Sequence, residues 1–261
     1  MSDTHSFFDY LQGGMEMHFA VAIDFTSSNG PVDSATSLHF IDTITGRPNS
    51  YEIALRSIGE IIQYYNSTHQ FPGFAFGAIV PPKTVVSHRF PLNGNMEQPY
   101  CEGVDQLIYW YRQCISKVIL YGPTNFAPII DYTADIASKN SNNKNYFVLL
   151  IITDGIICDM PQTIRSIIRS SSLPMSIIIV GVGNADFTAM DELDSDDQPL
   201  EMEGKKAVRD IVQFVSLNKY IRKDGSFIQS QGDLARDVLY EIPDQVESYM
   251  KLRGLKPGMI N

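Results

Sequence analysis

The sequence predicts an α/β fold, a doubly wound and mostly parallel sheet with one antiparallel edge strand, flanked by helices. Strand-sized apolar runs recur at residues 19–23, 146–152 and 175–182, and continuous apolar runs of this length are typical of strands that are buried on both faces. Stretches with the apolar spacing of helices separate these runs. Strands that alternate with helices favour a parallel sheet, because parallel neighbours need a crossover connection.

The first predicted helix follows a capping signal. Asn49 and Glu52 form an Asn-x-x-Glu pattern, which predicts a helix that starts at residue 50. Two further helices are predicted at 103–117 and 127–138, and Trp110 is expected to pack rather than to bind a ligand. The side chains of the first helix that are expected to face the core are Ile53, Ile58, Ile61, Ile62 and Tyr65.

The edge of the sheet is predicted from a strand that ends in two prolines. Residues 71–80 have the composition of a strand, and Pro81 and Pro82 interrupt it because proline cannot donate to a strand ladder. Residues 84–90 are predicted to return antiparallel at the edge.

The remaining elements are predicted from capping residues and apolar spacing. Asp159 is expected to cap a helix that runs to about residue 169, and a last strand is expected at 211–215. Residues 234–253 have helical spacing of apolar side chains. Pro243 is expected to kink or split that helix.

We predict one large α/β domain at residues 18–220. A lead-in at residues 1–17 precedes it, and a helical extension at 221–261 is expected to pack on it. The hydrophobic fraction of 44% is ordinary for a globular protein of 261 residues, which is long enough to bury a substantial core.

Charge and cysteine content restrict the classes of partner and the compartment. The net charge of −10 argues against nucleic acid and against unaided attraction to anionic lipid, because both are polyanions. Three cysteines cannot all pair with one another, which indicates reduced thiols. The N-terminal residues lack a targeting segment, and the longest apolar runs are too short to cross a bilayer. We therefore expect a cytoplasmic protein, with peripheral association at the plasma membrane as an open alternative.

Polar side chains follow the first predicted strand directly. Asp24, Thr26 and Ser28 alternate along the chain, so an extended or looped segment could turn all three toward one point. One carboxylate and two hydroxyls could hold a hard cation such as magnesium, with water completing its shell. The alternative is that these residues form a turn or cap the next helix, as Asp, Ser and Thr often do.

The strand at 146–152 also ends in polar residues, Thr153 and Asp154. If the two strands are parallel neighbours, Asp24 and Asp154 meet at the same edge of the sheet, where a divalent ion would compensate two buried like charges. Thr124 follows a Gly-Pro turn between the strands and presents a third hydroxyl. Its alternative role, or that of Asn125, is to cap the following helix.

These motifs together resemble a known kind of site. The segments Asp24-x-Thr26-x-Ser28, 122–126 and 152–155 are similar to the metal-ion-dependent adhesion site of a von Willebrand factor A-type domain, a Rossmann-like fold. More narrowly, the chain resembles the copine family from about residue 8 to about residue 257. The phrases that carry this resemblance lie at 22–26, 90–95, 120–128, 149–155, 173–183 and 210–215.

The resemblance implies a set of metal ligands and a function. The implied ligands are Asp24, Thr26, Ser28, Thr124 and Asp154, with threonine at position 26 where the general pattern has serine. The implied metal is Mg²⁺ or Mn²⁺, with Ca²⁺ as an alternative. We expect a non-enzymatic module that binds an Asp or Glu carboxylate of an intracellular partner protein through the ion.

Copine relatives have two other functions, of which one is kept as an alternative for this chain and the other is not expected. Typical copines carry two calcium-dependent phospholipid-binding domains ahead of this domain, and the sequence begins almost directly at the latter, which puts calcium-triggered membrane docking in doubt for this chain by itself. Calcium-responsive binding to phospholipid membranes stays as the alternative function. Some plant relatives add a zinc-bound ubiquitin-ligase module, but Cys101, Cys114 and Cys158 are scattered and form no Cys-x-x-Cys pair.

An enzyme alternative, an acidic run and the histidines were also considered, and none of them adds a predicted site residue. A metal-dependent phosphatase is the leading enzyme alternative, since a metal-supported aspartate is capable of attack. The acidic run at 191–197 is predicted as a solvated loop, because Pro199 stands where a calcium loop starting at Asp194 needs glycine. Most histidines are expected at the surface or in loops, with no metal-ligand spacing among His5, His18, His39, His69 and His88.

Overall fold

The computed structural model describes residues 5–66, 68–142, 144–194, 198–222 and 226–258. Its helices are α1 (Phe7–Gln12), α2 (Ser50–Ile62), α3 (Gly103–Ile115), α4 (Ala127–Lys139), α5 (Met160–Ser170), α6 (Thr188–Asp194), α7 (Gln231–Val238) and α8 (Ile242–Arg253). Its strands are β1 (Glu16–Asp24), β2 (Gln70–Phe76), β3 (Ala78–Ile79), β4 (Val86–Ser87), β5 (Phe90–Pro91), β6 (Tyr100–Glu102), β7 (Ile119–Leu120), β8 (Asn145–Thr153), β9 (Met175–Gly181), β10 (Glu201–Met202), β11 (Lys205–Lys206) and β12 (Val212–Ser216). Short 3-10 helices lie at Ser27–Asn29, Gln63–Tyr65 and Leu217–Lys219.

The main sheet confirms the predicted fold class. Among the described strands its order is β12, β9, β8, β1, β2 and β5, and β6 also pairs with β2. All neighbouring pairs among β12, β9, β8, β1 and β2 are parallel. The two short strands β5 and β6 run antiparallel to β2, so the edge holds two antiparallel segments where one was predicted.

The strand order contains a switch point at the centre of the sheet. From β1 the chain moves to β2 on one side, and it later returns to β8 on the other side of β1. In open α/β sheets, ligands bind outside the carboxyl ends of the strands where the order reverses in this way. The loops that follow β1 and β8 are therefore the loops from which a site is expected.

The core has one buried cluster on each face of the sheet. Side chains alternate along the strands: Val21 and Ile23 of β1 belong to the cluster with α2, α3, α7 and α8, whereas Ala22 belongs to the cluster with α4, α5 and α6. This alternation follows from the two-residue period of a strand. Because both faces are covered, the strands are nearly continuous in apolar residues, which is why they were identifiable from the sequence.

The predicted edge differs from the observed one. The strand predicted at 71–80 ends at Phe76, and the antiparallel return predicted at 84–90 is divided between two sheets. The cause is Gly77, which has a φ of 83° and turns the chain out of the main sheet. Beyond it, β3 pairs with β4 and β7 in a separate three-stranded sheet.

The helical predictions are mostly confirmed. Asn49 and Glu52 form the predicted capping box of α2, and the C-terminal helical stretch is split into α7 and α8 with Pro243 in the first turn of α8. The prediction for Tyr65 is wrong. The α-helix ends at Ile62, and Tyr65 lies in a 3-10 turn with an exposed side chain.

The acidic run is also not the loop that was predicted. Residues 191–194 form the end of α6, and the buried Leu193 anchors that helix in the core; residues 195–197 lie outside the described part of the chain. No helix among the described residues is long and apolar enough to cross a bilayer.

The division of the chain at residues 17/18 and 220/221 stays a prediction. Tyr10 of the N-terminal segment and Tyr249 of the C-terminal segment are both buried. Both belong to the same apolar cluster as Val21 of the central strand.

Candidate metal centre

The loops after β1 and β8 meet a third loop at the carboxyl edge of the sheet. Thr26 forms a parallel bridge with Tyr121, and the Ser27 N–H donates to the Tyr121 carbonyl at 2.9 Å. The loop that carries Thr124 therefore lies directly against the loop that carries Asp24. The structure thus places Asp24, Asp154 and Thr124 at one edge, as the sequence motifs predicted.

Asp24 is fully buried and accepts hydrogen bonds from the loop that follows it and from the end of β8. Its Oδ1 accepts from the Thr26 N–H at 2.9 Å and from the Thr26 hydroxyl at 2.6 Å. Its Oδ2 accepts from the Thr153 hydroxyl at 2.6 Å. Thr153 belonged to a quoted motif but was not predicted as a site residue, and here it fixes the carboxylate from the neighbouring strand.

Three hydroxyls continue from this carboxylate. The Thr26 Oγ1 lies 2.9 Å from the Ser28 Oγ, and the Thr124 hydroxyl donates to the Thr26 Oγ1 at 3.2 Å. Thr26 and Thr124 are buried. The alternation of Asp24, Thr26 and Ser28 along the loop does direct their oxygens to one place.

Asp154 is the second carboxylate of the cluster and is incompletely satisfied. It is buried, and its Oδ1 has no hydrogen-bond partner among the described residues. Gly155 follows it with a φ of 98°, and the Phe187 ring occupies the space that a side chain at position 155 would need. A buried carboxylate oxygen without a donor is costly and calls for a compensating group.

The raised pKa values of Asp24 and Asp154 also favour a cation at this site. Burial, and next the charge of Asp154, raise the pKa of Asp24 to about 7. Burial likewise raises the pKa of Asp154, and the hydroxyl of Ser28 opposes this change. Two buried like charges disfavour ionisation of each other unless a cation is bound between them.

The donor set fits a hard divalent cation. Two carboxylates and three hydroxyls are oxygen ligands of the kind that Mg²⁺ takes, usually together with water. Within the described residues no group of three or more His, Cys, Asp or Glu side chains could hold a metal, so a zinc site of the usual nitrogen and sulfur type is not found there.

A buried histidine supports the loop from beneath, and it lies in a loop, as was expected of most histidines at the surface or in loops. His39 is fully buried rather than at the surface, and its Nε2 lies 2.8 Å from the Asp24 carbonyl oxygen. Because that oxygen can only accept, Nε2 carries the proton, and Nδ1 accepts from the Tyr111 hydroxyl at 2.8 Å. Burial lowers the pKa of His39 to about 3.

Two further residues fix the same loop. The Asn29 side-chain amide donates to the Thr26 carbonyl at 3.1 Å, and the Tyr51 hydroxyl donates to the Asn29 Oδ1 at 2.6 Å. The Tyr51 ring stacks on His39 with centroids 4.1 Å apart. Asn29 follows Ser28 directly in the chain, whereas no short motif marks His39 and Tyr51, which come from separate segments that only the fold brings together.

Asp159 is the N-cap residue of α5, as predicted, but its side chain does not cap that helix and instead holds the loop of Thr124. Its carboxylate accepts from the Phe126 N–H at 2.9 Å and from the Ala127 N–H at 3.0 Å, at the start of α4. The predicted caps of that helix, Thr124 and Asn125, do not occupy the cap position, which is Phe126. The side chain of Thr124 is thereby left to face Thr26.

Two exposed apolar side chains flank the cluster. Tyr121 precedes the Gly-Pro turn and is 58% exposed, and Ile156 lies two residues after Asp154 and is 54% exposed. Both are attached to loops that carry residues of the cluster. They offer apolar contact surface at the rim of the candidate site.

Comparison with known proteins places these features in a family. The family profile described as Copine matches residues 37–258. Nicotinic receptor-associated protein 1 of Caenorhabditis elegans is 49% identical over 261 residues, which cover 98% of this chain and 41% of that protein. The protein of the same name from Caenorhabditis briggsae is 48% identical over 257 residues, covering 97% of this chain and 40% of that protein. The chain therefore spans about two-fifths of the length of these relatives.

Solved structures show more distant likeness. The manganese-loaded TRAP protein of Plasmodium vivax has a TM-score of 0.49 and 12% identity, covering 79% of this chain and 70% of that chain. The VWA domain of SpRpn10 has a TM-score of 0.44 and 14% identity, and the match covers 85% of this chain and 94% of that chain. Proximal thread matrix protein 1 from the mussel byssus, with a zinc-occupied MIDAS motif, has a TM-score of 0.41 and 12% identity. The match covers 92% of this chain and 48% of that chain.

Proposed function

This chain belongs to the copine family, and on that premise we propose that it is a divalent-metal-dependent module that binds a carboxylate of a partner protein. The proposed metal ligands are Asp24, Thr26, Ser28, Thr124 and Asp154. The proposed ion is Mg²⁺ or Mn²⁺, with Ca²⁺ as the alternative.

One observation carries the proposal. Two buried carboxylates from neighbouring parallel strands lie with three hydroxyls at the switch point of the sheet, and the Oδ1 of Asp154 has no donor among the described residues. Such an arrangement is unfavourable when both carboxylates are ionised and becomes favourable when a cation is bound. The partners of Asp24 are fixed by hydrogen bonds, which supports a preorganised site.

A bound ion would supply Lewis-acid attraction for an Asp or Glu side chain of the partner. The chain's own residues would do the rest: Asp159 and His39 hold the two loops in place, and Tyr121 and Ile156 present apolar surface beside the site. An acidic residue flanked by apolar ones is the recognition element that this surface would accept. The relatives' name associates them with a nicotinic receptor, which supports a protein as the class of partner.

Metal binding tests the first half of the proposal. Calorimetric titration of Mg²⁺ and Mn²⁺ into the full chain should give saturable binding with one site, and Asp154→Ala should abolish it. Asp135→Ala is the matched control, because Asp135 is an exposed aspartate on α4 outside the cluster. Equally poor binding by wild type and Asp154→Ala would overturn the metal site.

Partner capture tests the second half. Proteins retained by the wild type in Mg²⁺ and lost both with chelator and with Asp154→Ala would be those recognised through the ion. Liposome co-sedimentation with calcium and with chelator addresses the competing membrane function. Calcium-dependent pelleting of the isolated chain, without any metal-dependent protein partner, would contradict the proposal.

A further inference from the structure

A groove of about 550 Å³ lies away from the metal cluster, between the small sheet and the end of α3. Its walls come from the loop after β3, from β4 and β5, and from the C-terminal turn of α3. None of the five proposed metal ligands lines it. A cavity of this volume is in the range that holds a small ligand or a few residues of a peptide.

The charge of this groove is opposite to that of the whole chain. Lys83, Arg89 and Lys117 line it, and no Asp or Glu does, whereas the chain carries a net charge of −10. None of the three cations forms an ion pair with a carboxylate among the described residues. We refer to the surface formed by these three cations and Trp110 as the basic groove. Its local field attracts anionic groups, since low-dielectric walls strengthen such a field.

The basic groove also has an apolar wall and one fixed cation. Trp110 is half-buried and packs against the core, and Met96 beside it is 39% exposed. The Arg89 guanidinium lies 4.0 Å from the centroid of the Tyr132 ring, which holds it in place by a cation–π contact. The ligand therefore meets positive charge and apolar surface together.

From these features we propose that the basic groove is a second binding site, and that its ligand is an acidic peptide segment with an apolar side chain that packs on Trp110. The three cations come from three separate connecting segments, after β3, before β5 and after α3, so they match carboxylates spaced along an extended chain. Binding here requires no metal.

The single tryptophan of the chain reports on this site directly. The probe is an end-capped octapeptide of alternating glutamate and leucine, titrated into the full chain in chelator at low salt while Trp110 emission is followed. Saturable change in emission is expected, and it should weaken as salt is added. The same peptide with lysine in place of glutamate should not bind.

Charge-reversal variants locate the interaction. Lys117→Glu should weaken binding at least tenfold, whereas Lys139→Glu should leave it unchanged; both lysines are exposed and lie at or just after the C-terminal end of a helix. Asp154→Ala should also bind normally, so a failure of the metal site does not affect this test. Far-ultraviolet circular dichroism confirms that each variant is folded.

Several results would overturn the proposal. One is the absence of binding by both emission and calorimetry, and another is equal weakening by Lys117→Glu and Lys139→Glu. Saturation of the groove by inorganic phosphate, without peptide binding, would show a compact-anion site instead. Binding of phosphatidylserine vesicles through Lys117, without peptide binding, would show a lipid site instead.

Discussion

The methyl group of Thr26 occupies the space that a side chain at Gly77 would need. A Cβ built on Gly77 falls well inside contact distance of the Thr26 Cγ2, and the φ of 83° at Gly77 is one that side chains rarely adopt. The general pattern of the adhesion site has serine at position 26, and the larger threonine is accommodated here because position 77 lacks a side chain. The two positions are therefore coupled through packing.

This coupling predicts the outcome of a double-mutant cycle. Gly77→Ala should destabilise the fold by about 3 kcal/mol, from left-handed strain and overpacking together. In the Thr26→Ser background the same change should cost only about 1 kcal/mol, because strain alone remains. Urea unfolding of the four proteins measures the coupling. Additive costs would show that the methyl group and position 77 do not compete for space.

The raised pKa of Asp24 predicts a pH dependence of metal binding. Its folded-state pKa of about 7 exceeds the ordinary 3.8, so between these values the folded protein holds a proton that the unfolded chain releases. Asp24 therefore stabilises the metal-free folded protein at low pH. This contribution to the free energy of unfolding is lost as the pH rises from 3.8 to about 7.

A metal ion must displace the same proton. The apparent affinity for Mg²⁺ should thus fall roughly fifteenfold between pH 7 and pH 5.5, and saturating Mg²⁺ should raise Tm more at pH 8 than at pH 5.5. Thermal denaturation at the two pH values, with and without Mg²⁺, checks this. An equal Mg²⁺ effect at both would contradict the assignment of Asp24 as a ligand.

The lowered pKa of His39 predicts that the protein loses stability as the pH falls, which is opposite to the effect of Asp24. Its folded-state pKa of about 3 lies below the ordinary 6.5, so the unfolded chain gains a proton as pH falls below 6.5 and stability is lost. By pH 5 this group should cost about 2 kcal/mol. His39→Gln can keep both hydrogen bonds without titrating, and the difference in its unfolding free energy between pH 7 and pH 5 should be smaller by that amount. An unchanged difference would mean that His39 is protonated in the folded protein.

Asp159 is predicted to affect the metal site from a distance. Asp159→Asn replaces one acceptor oxygen by a donor, so one of the two N–H groups at the start of α4 loses its partner. A loss of about 2 kcal/mol of stability is expected, together with weaker Mg²⁺ binding, because the loop of Thr124 is no longer held. Asp135→Asn on the exposed face of α4 is the control. Retention of full Mg²⁺ affinity in a folded Asp159→Asn protein would show that Thr124 is positioned without it.

The sequence was sufficient for the parts of the fold that depend on local pattern. The strands buried on both faces and the capping box of Asn49 and Glu52 lie where they were predicted, because apolar continuity and caps are local signals. The five proposed ligands are in short motifs at strand ends, and the fold brings them to one edge of the sheet.

The supporting residues could not be predicted in this way. His39 and Tyr51 act through contacts across 15 and 22 residues of sequence, with nothing local to mark them. Asp159 is the N-cap residue of its own helix, as predicted, but its carboxylate also accepts from two N–H groups 32 and 33 residues earlier, which no local pattern indicates. Gly77 ended a strand that its apolar neighbours seemed to continue, since only a positive φ distinguishes the turn.

Anomalous diffraction from crystals soaked in Mn²⁺ tests the central claim most directly. We expect a single strong peak within about 2.2 Å of carboxylate or hydroxyl oxygens among Asp24, Thr26, Ser28, Thr124 and Asp154, or linked to them through water. The peak should be absent from Asp154→Ala crystals soaked in the same way. A peak elsewhere in the chain, or none at this edge of the sheet, would contradict the account.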